Sequence, residues 1–160
     1  KDGKFYKGIS LLYIGFELHD AANSLAAPTD IHVYNNYLHY PPGSIDTGAA
    51  IYLYGPRDVV VENNRVVNDS ADVIASGIHL LPAMFSSEWA DPDGRDPVKV
   101  ARVWGVTLSG NSIEGKFPRK LIMTGNCADY RGKVVIKDNK AKGYQLYCPQ
   151  ITHVNNRNSP

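Results

Sequence analysis

The 160 residues of the chain suit one domain, and a composition of 43% hydrophobic and 21% charged residues is that of a folded protein rather than a disordered one. The net charge is +1 and the Lys and Arg residues form no run, so we expect neither nucleic acid nor a membrane as a partner. No apolar stretch approaches the roughly 18 residues of a membrane-spanning helix. We expect a single domain over residues 1–160, and the start at Lys1 rather than Met indicates a processed product or a fragment of a longer chain.

Short apolar strands recur along the chain, and one set of them opens each repeat. We predict the strands of this first set at Ile9–Leu12, Ile51–Tyr54, Ile78–Leu81, Leu121–Thr124 and Tyr144–Tyr147. Strand side chains alternate between two faces, so the first and third residues of each run should point inward, as we expect for Ile9 and Leu11. The remaining residues form an outward column: Ser10, Tyr52, His79, Ile122, Gln145 and, two positions on, Leu12, Tyr54, Leu81, Thr124, Tyr147.

A second set of β-branched runs follows the first, and each run closes on asparagine. The runs align without gaps: Ile31–Asn36, Val59–Asn64, Val106–Asn111, Val134–Asn139 and Ile151–Asn156. We predict that the first and third residues of each run point inward, and that the inward column resumes two residues past the closing asparagine, at Leu38, Val66, Ile113 and Ala141. Asparagine tolerates left-handed backbone and hydrogen-bonds locally, and stacked asparagines can form a ladder. We therefore predict that the five closing asparagines stack at equivalent bends. The repeat predicts an all-β solenoid of about five rungs around one continuous apolar column.

The C-terminal part of the chain carries two further expectations. The repeats shorten there and His153 falls in an inward column, so Tyr144–Pro160 should lie near the end of the coil or be covered by another segment or subunit. Two cysteines, Cys127 and Cys148, are too few for a disulfide framework, and we expect small buried or turn residues rather than a bridge.

The repeat resembles that of the pectate-lyase-like β-helix superfamily. The resemblance lies in Gly77–Leu81 and Ala50–Val67, which follow the pattern Gly-Ile-x-Leu, a short turn, then Val-x-Val-x-Asn-Asn-x-Ile, and it extends over residues 8–156. It implies a right-handed single-stranded parallel β-helix. The superfamily includes polysaccharide lyases, glycoside hydrolases, uronan epimerases, phage tailspikes and non-catalytic surface proteins. The chain has no pectate-lyase active-site signature, so the resemblance assigns no catalytic residue.

Long excursions between the two strand sets mark the place where we expect a site. The first repeat and the third insert a long segment after the first-set strand, whereas the second makes the tight turn Gly55–Asp58. Loops presented by a rigid scaffold commonly carry function. We therefore predict a groove with the tight turn as its floor and residues 14–29 and 83–102 as its walls.

The residues of this groove are typical of a sugar site, although long surface loops are often rich in the same residue types. An indole packs on a pyranose ring, and paired carboxylates supply acid and base or nucleophile. The candidate catalytic carboxylates are Glu17, Asp20, Asp58, Glu88, Asp91 and Asp93. We predict that Trp89 and Arg57 bind substrate, and either Arg57 or Arg95 could instead neutralise a uronate before proton abstraction. Residues 91–96 resemble half of a calcium loop, but a third acid and a distant Glu are missing, so we predict no metal and no cofactor.

The outward column of the first strand set has two interpretations. Its aromatic members, Tyr52, Tyr54, His79 and Tyr147, could form a saccharide-binding stripe. The column could instead be buried against a partner such as a neighbouring subunit of a homotrimer, which Leu12, Leu81 and Ile122 favour.

These observations predict a carbohydrate-binding or polysaccharide-degrading β-helix that is extracellular or part of a virion, similar to a phage tailspike or a bacterial polysaccharide lyase or hydrolase. The alternative is a non-catalytic stalk or oligomerisation module. An open groove with a carboxylate pair would distinguish the first from the second.

Overall fold

The computed structural model of the protein describes residues 10–15, 29–86, 98–141, 143 and 146–157. These residues are almost entirely β-strand and turn, and they contain no α-helix. A single 3₁₀ turn spans Cys127–Asp129 in this part of the chain. No helix among the described residues is long and apolar enough to cross a membrane.

Three parallel sheets make up most of the structure, and the strands are numbered in chain order. The first sheet has the order β1 (Leu12–Gly15), β4 (Ala49–Tyr54), β7 (Ser76–Leu81), β12 (Arg119–Met123). The second has the order β2 (Ile31–Tyr34), β5 (Arg57–Glu62), β10 (Val103–Ser109), β14 (Val134–Lys137), β15 (Ile151–Val154), and the short β13 (Tyr130–Arg131) also pairs with β10. The third has the order β3 (Tyr37–Tyr40), β6 (Arg65–Asn68), β11 (Ser112–Gly115). The chain therefore visits the three sheets in turn, an arrangement compatible with a β-solenoid.

One antiparallel pair interrupts this order between the first sheet and the second. Strands β8 (Ala83–Ser86) and β9 (Val98–Ala101) form a hairpin stem between β7 and β10. The long excursion of the third repeat thus begins and ends as a paired stem. It leaves the parallel sheets at the corner where the second repeat makes its tight turn.

The register of the second and third sheets confirms the predicted inward columns. Ile31 pairs with Val59, and Val59 pairs with Val106, so equivalent positions of successive repeats stack directly. Pairing continues to the last described strand, where Val134 lies opposite Ile151. Alternation with period two places these residues inside and their neighbours outside.

The register predicted for the first repeat is wrong by three residues. Ile51 pairs with Leu12 rather than with Ile9, and Leu53 pairs with Ile14 rather than with Leu11. Leu11 is accordingly 42% exposed instead of buried. The segment from Ile9 to Ile14 is apolar at many positions, so hydrophobicity alone does not decide which alternation is inward.

The closing asparagines form the predicted ladder. The Oδ1 of Asn111 accepts from both the main-chain N–H and the Nδ2 of Asn64, each at 3.0 Å. Asn111 in turn donates to Asn139 from its main-chain N–H at 3.0 Å and from Nδ2 at 2.9 Å. The same paired bonds join Asn36 to Asn64 and Asn139 to Asn156. The ladder satisfies buried main-chain donors at a bend, where the sheets cannot do so.

The left-handed backbone at these bends belongs to the residue before each ladder asparagine, contrary to the sequence interpretation. The residues concerned have φ between 51° and 64°: Asn35, Asn63, Gly110, Asp138 and Asn155. Each is of a type that tolerates this conformation at little cost. At each of these bends the first residue therefore adopts the left-handed conformation, and the asparagine that follows it forms the ladder.

A single apolar core lies between the three sheets. Its fully buried members come from every sheet, among them Ile51, Val59 and Val66. In the second sheet β15 pairs with β14, while Tyr144 and residues 158–160 lie outside the described residues, so the covering of this end of the coil stays a prediction. His153 is half-buried there, and its Nε2 lies 3.0 Å from the carbonyl oxygen of Leu146.

The expectation for the cysteines is wrong, because Cys127 and Cys148 form a disulfide. Cys127 begins the 3₁₀ turn that leads into β13, and Cys148 lies shortly before β15. The bridge therefore ties a corner of the fourth repeat to the start of the fifth. Separated by 21 positions, the two residues show no sequence sign of this proximity.

Candidate functional site

The predicted site residues divide into those that the structure describes and those that it does not. Six of the twelve fall outside the described residues, so their roles stay predictions: Glu17, Asp20, Glu88, Trp89, Asp91 and Asp93. Asp58 is the one candidate carboxylate among the described residues, so the predicted carboxylate pair stays a prediction. The others are Arg57, Asp58, Tyr52, Tyr54, His79 and Tyr147.

Three of the predicted substrate-binding residues lie together in a groove on the outer face of the first sheet. We call it the aromatic groove, and its volume is about 470 Å³. The residues that line it are Ser10, Tyr13, Thr47, Gly48, Tyr52, Tyr54 and His79. Its size falls within the range of pockets that hold small ligands or a segment of a longer one.

Aromatic rings cover the floor of the groove in close contact with one another. The rings of Tyr13 and Tyr52 are stacked, with centroids 5.6 Å apart and planes at 12°. The His79 ring meets Tyr52 edge-on at 5.2 Å, and Tyr54 lies 6.1 Å from Tyr52. Rings that support one another in this way form a preformed apolar surface, so a ligand would lose little entropy by ordering them.

Tyr13 was not predicted as a site residue, because the register predicted for the first repeat placed Leu12 rather than Tyr13 on the outer face. Its alternation, Leu12-Tyr13-Ile14, matches Ile51-Tyr52-Leu53 and is the signal that could have revealed it. Gly15 also explains how the ring is placed, because a Cβ on this residue would collide with the Tyr13 ring. The glycine lets the tyrosine lie flat along its own strand, next to Tyr52.

The aromatic groove is uncharged near neutral pH. Burial, and then the nearby Arg119 guanidinium, lower the pKa of the His79 imidazole below its ordinary value. Its Nε2 lies 3.1 Å from the Thr124 hydroxyl, which fits a neutral ring. Burial, and then Tyr54, raise the pKa of the Tyr52 phenol. The groove therefore offers apolar ring surface with hydroxyl and imidazole groups, and no net charge.

The outward column is less apolar than its sequence indicates. Leu12 faces inward and packs against the core, and Ile122 is 5% exposed within the chain itself. Two of the three residues that favoured burial against a partner are therefore not part of an exposed face. Leu81 remains on this face together with the rings of Tyr52, Tyr54 and His79.

Tyr147 lies apart from the residues with which it was grouped. Its ring is 75% exposed and contacts the His153 ring, with centroids 5.0 Å apart. The residue directly precedes the disulfide-bonded Cys148, outside the strands of the first sheet. The groove lining given above does not include it.

Asp58 and Arg57 lie at the tight turn, as predicted, and both are exposed. The backbone of Asp58 is left-handed, with φ 51°, and the equivalent positions of neighbouring strands are Asp30, φ 56°, and Gly105, φ 62°. The bend alone therefore explains an aspartate at this position. Its carboxylate lies close against Gly105 of the next strand.

A second groove, of about 560 Å³, lies on the outer face of the third sheet, where sequence reasoning placed nothing. The Arg65 guanidinium binds the Glu114 carboxylate there with two nitrogens, at 3.1 and 2.8 Å. The hydrogen bond from Arg65, and then one from Ser112, lower the pKa of Glu114. The cation and the carboxylate satisfy each other, so this groove is less suited to a ligand than the aromatic one. No group of three or more His, Cys, Asp or Glu side chains able to hold a metal occurs in the part of the chain that the structure describes.

No protein-family model, curated protein or solved structure matches this chain.

Proposed function

We propose that the chain is a right-handed, single-stranded parallel β-helix of about five rungs, of the pectate-lyase-like type. The rungs are counted by their strands in the second sheet, where β2, β5, β10, β14 and β15 stack in order. The order of strands in each sheet follows their order in the chain, and one core serves all three sheets, which supports a single coil. Crossovers between parallel strands of one sheet are nearly always right-handed, which supports the hand.

We further propose that this β-helix binds polysaccharide, with the aromatic groove as the binding surface. The observation that carries this proposal is the stacked Tyr13–Tyr52 pair with His79 against its edge. A sugar ring has one face of C–H groups and a rim of hydroxyls. Ring surface suits the first, and the Tyr, Thr and His polar atoms that line the groove suit the second.

Two further features concern the location of the protein and its assembly. The Cys127–Cys148 disulfide is typical of oxidising environments, which favours an extracellular or virion location. The loss of Leu12 and Ile122 from the exposed column weakens the case for a buried subunit interface at this face. Cleavage of the polysaccharide stays a prediction, since five of the six candidate carboxylates lie outside the described residues. Assembly as a homotrimer also stays a prediction.

The test is binding to a panel of bacterial capsule and O-antigen polysaccharides, measured by titration calorimetry. Tyr52→Ala should weaken binding by about tenfold or more, the value of one well-buried aromatic contact. Tyr34→Ala is the matched control, because Tyr34 is 54% exposed on another sheet. Product analysis after incubation distinguishes binding from hydrolysis or lyase cleavage. If the wild-type protein binds none of the panel, or if Tyr52→Ala binds as well as Tyr34→Ala, the proposed function is wrong and a structural stalk is favoured.

A further inference from the structure

Trp104 lies exposed on the outer face of the second sheet, near the corner where the β8–β9 hairpin leaves the coil. It is the second residue of β10, and its side chain is 45% exposed. Its main-chain N–H donates to the carbonyl oxygen of Pro56 at 3.0 Å, which ties it to the tight turn Gly55–Asp58. An exposed indole held by a rigid strand is a common anchor for a ligand.

Two arginines flank this indole on the neighbouring strands. In the parallel register Trp104 pairs with Arg57 on one side and with Arg131 on the other. Paired residues of adjacent strands point to the same face and lie about 4.8 Å apart. Both arginines are exposed, and neither takes part in an ion pair with a described carboxylate. The surface therefore carries a cation, an aromatic ring and a second cation in a row.

The backbone beneath the indole is shaped to receive it. Gly132, with φ 63°, follows Arg131 directly, and a Cβ on it would stand 3.1 Å from the Trp104 Nε1 and 3.2 Å from Cε2. The ring therefore lies close against the glycine backbone, and a Cβ at this position would crowd it. Trp104 as a whole is still 45% exposed.

The two arginines are the charged groups that lie nearest the indole in the strand register, because they pair directly with Trp104. The carboxylates of Asp58 and exposed Asp30 belong to the next position along their strands, at the level of Gly105.

We propose that Trp104, Arg57 and Arg131 form a subsite for an acidic sugar residue, one whose ring carries a carboxylate. The inference rests on the proposed function and names the substrate class of the β-helix as an anionic polysaccharide. The indole stacks on the C–H face of the sugar ring, and a guanidinium beside it binds the carboxylate through two parallel hydrogen bonds. Neutral saccharide units occupy the aromatic groove on the adjoining sheet.

The experiment compares carboxylated polysaccharides with their carboxyl-reduced, neutral counterparts, using hyaluronan, alginate and polysialic acid. The wild-type protein should bind at least one acidic polymer about tenfold or more tightly than its reduced form, because reduction removes the charge-assisted hydrogen bonds between guanidinium and carboxylate. The preference should weaken as salt is added. The Arg57→Gln/Arg131→Gln variant should lose the preference and keep its affinity for the neutral form. Trp104→Ala should weaken both, and Arg157→Gln, an exposed arginine at the end of the ladder, should change neither. An unchanged urea midpoint shows that each variant is folded.

The outcomes separate this inference from the proposed function. If the double arginine variant keeps the preference, or if the wild-type protein has none, the acidic subsite is wrong. Binding of neutral polymers that is lost in Tyr52→Ala would still support the aromatic groove. If neither acidic nor neutral polymers bind, both proposals are wrong.

Discussion

Replacing Asn111 by alanine tests whether the asparagine ladder stabilises the fold. Asn111 is fully buried and makes four side-chain hydrogen bonds. Its Oδ1 accepts twice from Asn64 at 3.0 Å, and its Nδ2 donates to the Val61 carbonyl oxygen and to Asn139 at 2.9 Å each. At roughly 1 kcal/mol for each bond, with the main-chain N–H of Asn64 left without its partner, the free energy of unfolding should fall by about 3–5 kcal/mol. This is a large share of the stability of a typical domain.

Asn36→Ala is the matched control on the same ladder. Asn36 lies at its exposed end, and its main-chain N–H still reaches the Asn64 Oδ1 when the side chain is removed. Only the two bonds from its Nδ2 are lost, to Tyr34 at 3.1 Å and to Asn64 at 2.9 Å, and water can replace them. The expected loss is about 0.5–1 kcal/mol.

Asn156→Ala completes a graded series that equilibrium urea unfolding can measure. Asn156 is half-buried, accepts from Asn139 at 3.2 and 3.0 Å, and donates to the Ile136 carbonyl oxygen at 2.8 Å, so the expected loss is about 2 kcal/mol. If Asn111→Ala proves too unstable to study folded, the order of the Asn36 and Asn156 variants still tests the reasoning. Equal losses for all variants within about 0.5 kcal/mol would refute a ladder whose contribution depends on burial.

Three other perturbations follow from particular contacts. Replacing Cys127 and Cys148 together by serine should lower the free energy of unfolding by about 3 kcal/mol, as expected for opening a loop with a sequence separation of 21, and an unchanged urea midpoint would contradict this. Gly77→Ala should cost about 1–3 kcal/mol by overpacking, because the new Cβ would collide with the Lys120 carbonyl oxygen; calorimetric melting measures it, and a wild-type Tm would show that the sheets can move apart there. The lowered pKa of His79 means that below the ordinary value of 6.5 the unfolded chain binds more protons than the folded one, so stability should fall on acidification from that pH downward. His79→Gln should flatten this dependence, and an identical pH profile for the variant would show that other groups cause it.

The period of the strands and the positions of the ladder asparagines could be read from the sequence because both depend on local chemistry. A β-branched run that alternates with polar residues has one face to bury, and Asn at a recurring bend has few substitutes. The columns of the second and third sheets followed from this alone. The first repeat did not, since Ile9 to Ile14 offers two apolar alternations, and only pairing with Ile51 selects Leu12 and Ile14.

How much of the candidate site could be predicted depended mostly on whether the neighbouring strands could be identified from the sequence. Tyr52, Tyr54 and His79 were identified because the alternation within each run placed them outward, and their grouping followed from stacking. Tyr147 was misplaced, because the chain before the disulfide departs from the repeat.

What the sequence by itself determined is the alternation of the asparagine-closed runs, the ladder asparagines and the stacking of repeats, since these arise from local propensity and burial of one face. Tertiary structure alone decided the Cys127–Cys148 bridge and the position of Trp104 between Arg57 and Arg131. Residues far apart in the chain meet there through excursions of unequal length. Their proximity depends on where each long segment leaves the parallel sheets and where it returns to them, and no local sequence pattern indicates this.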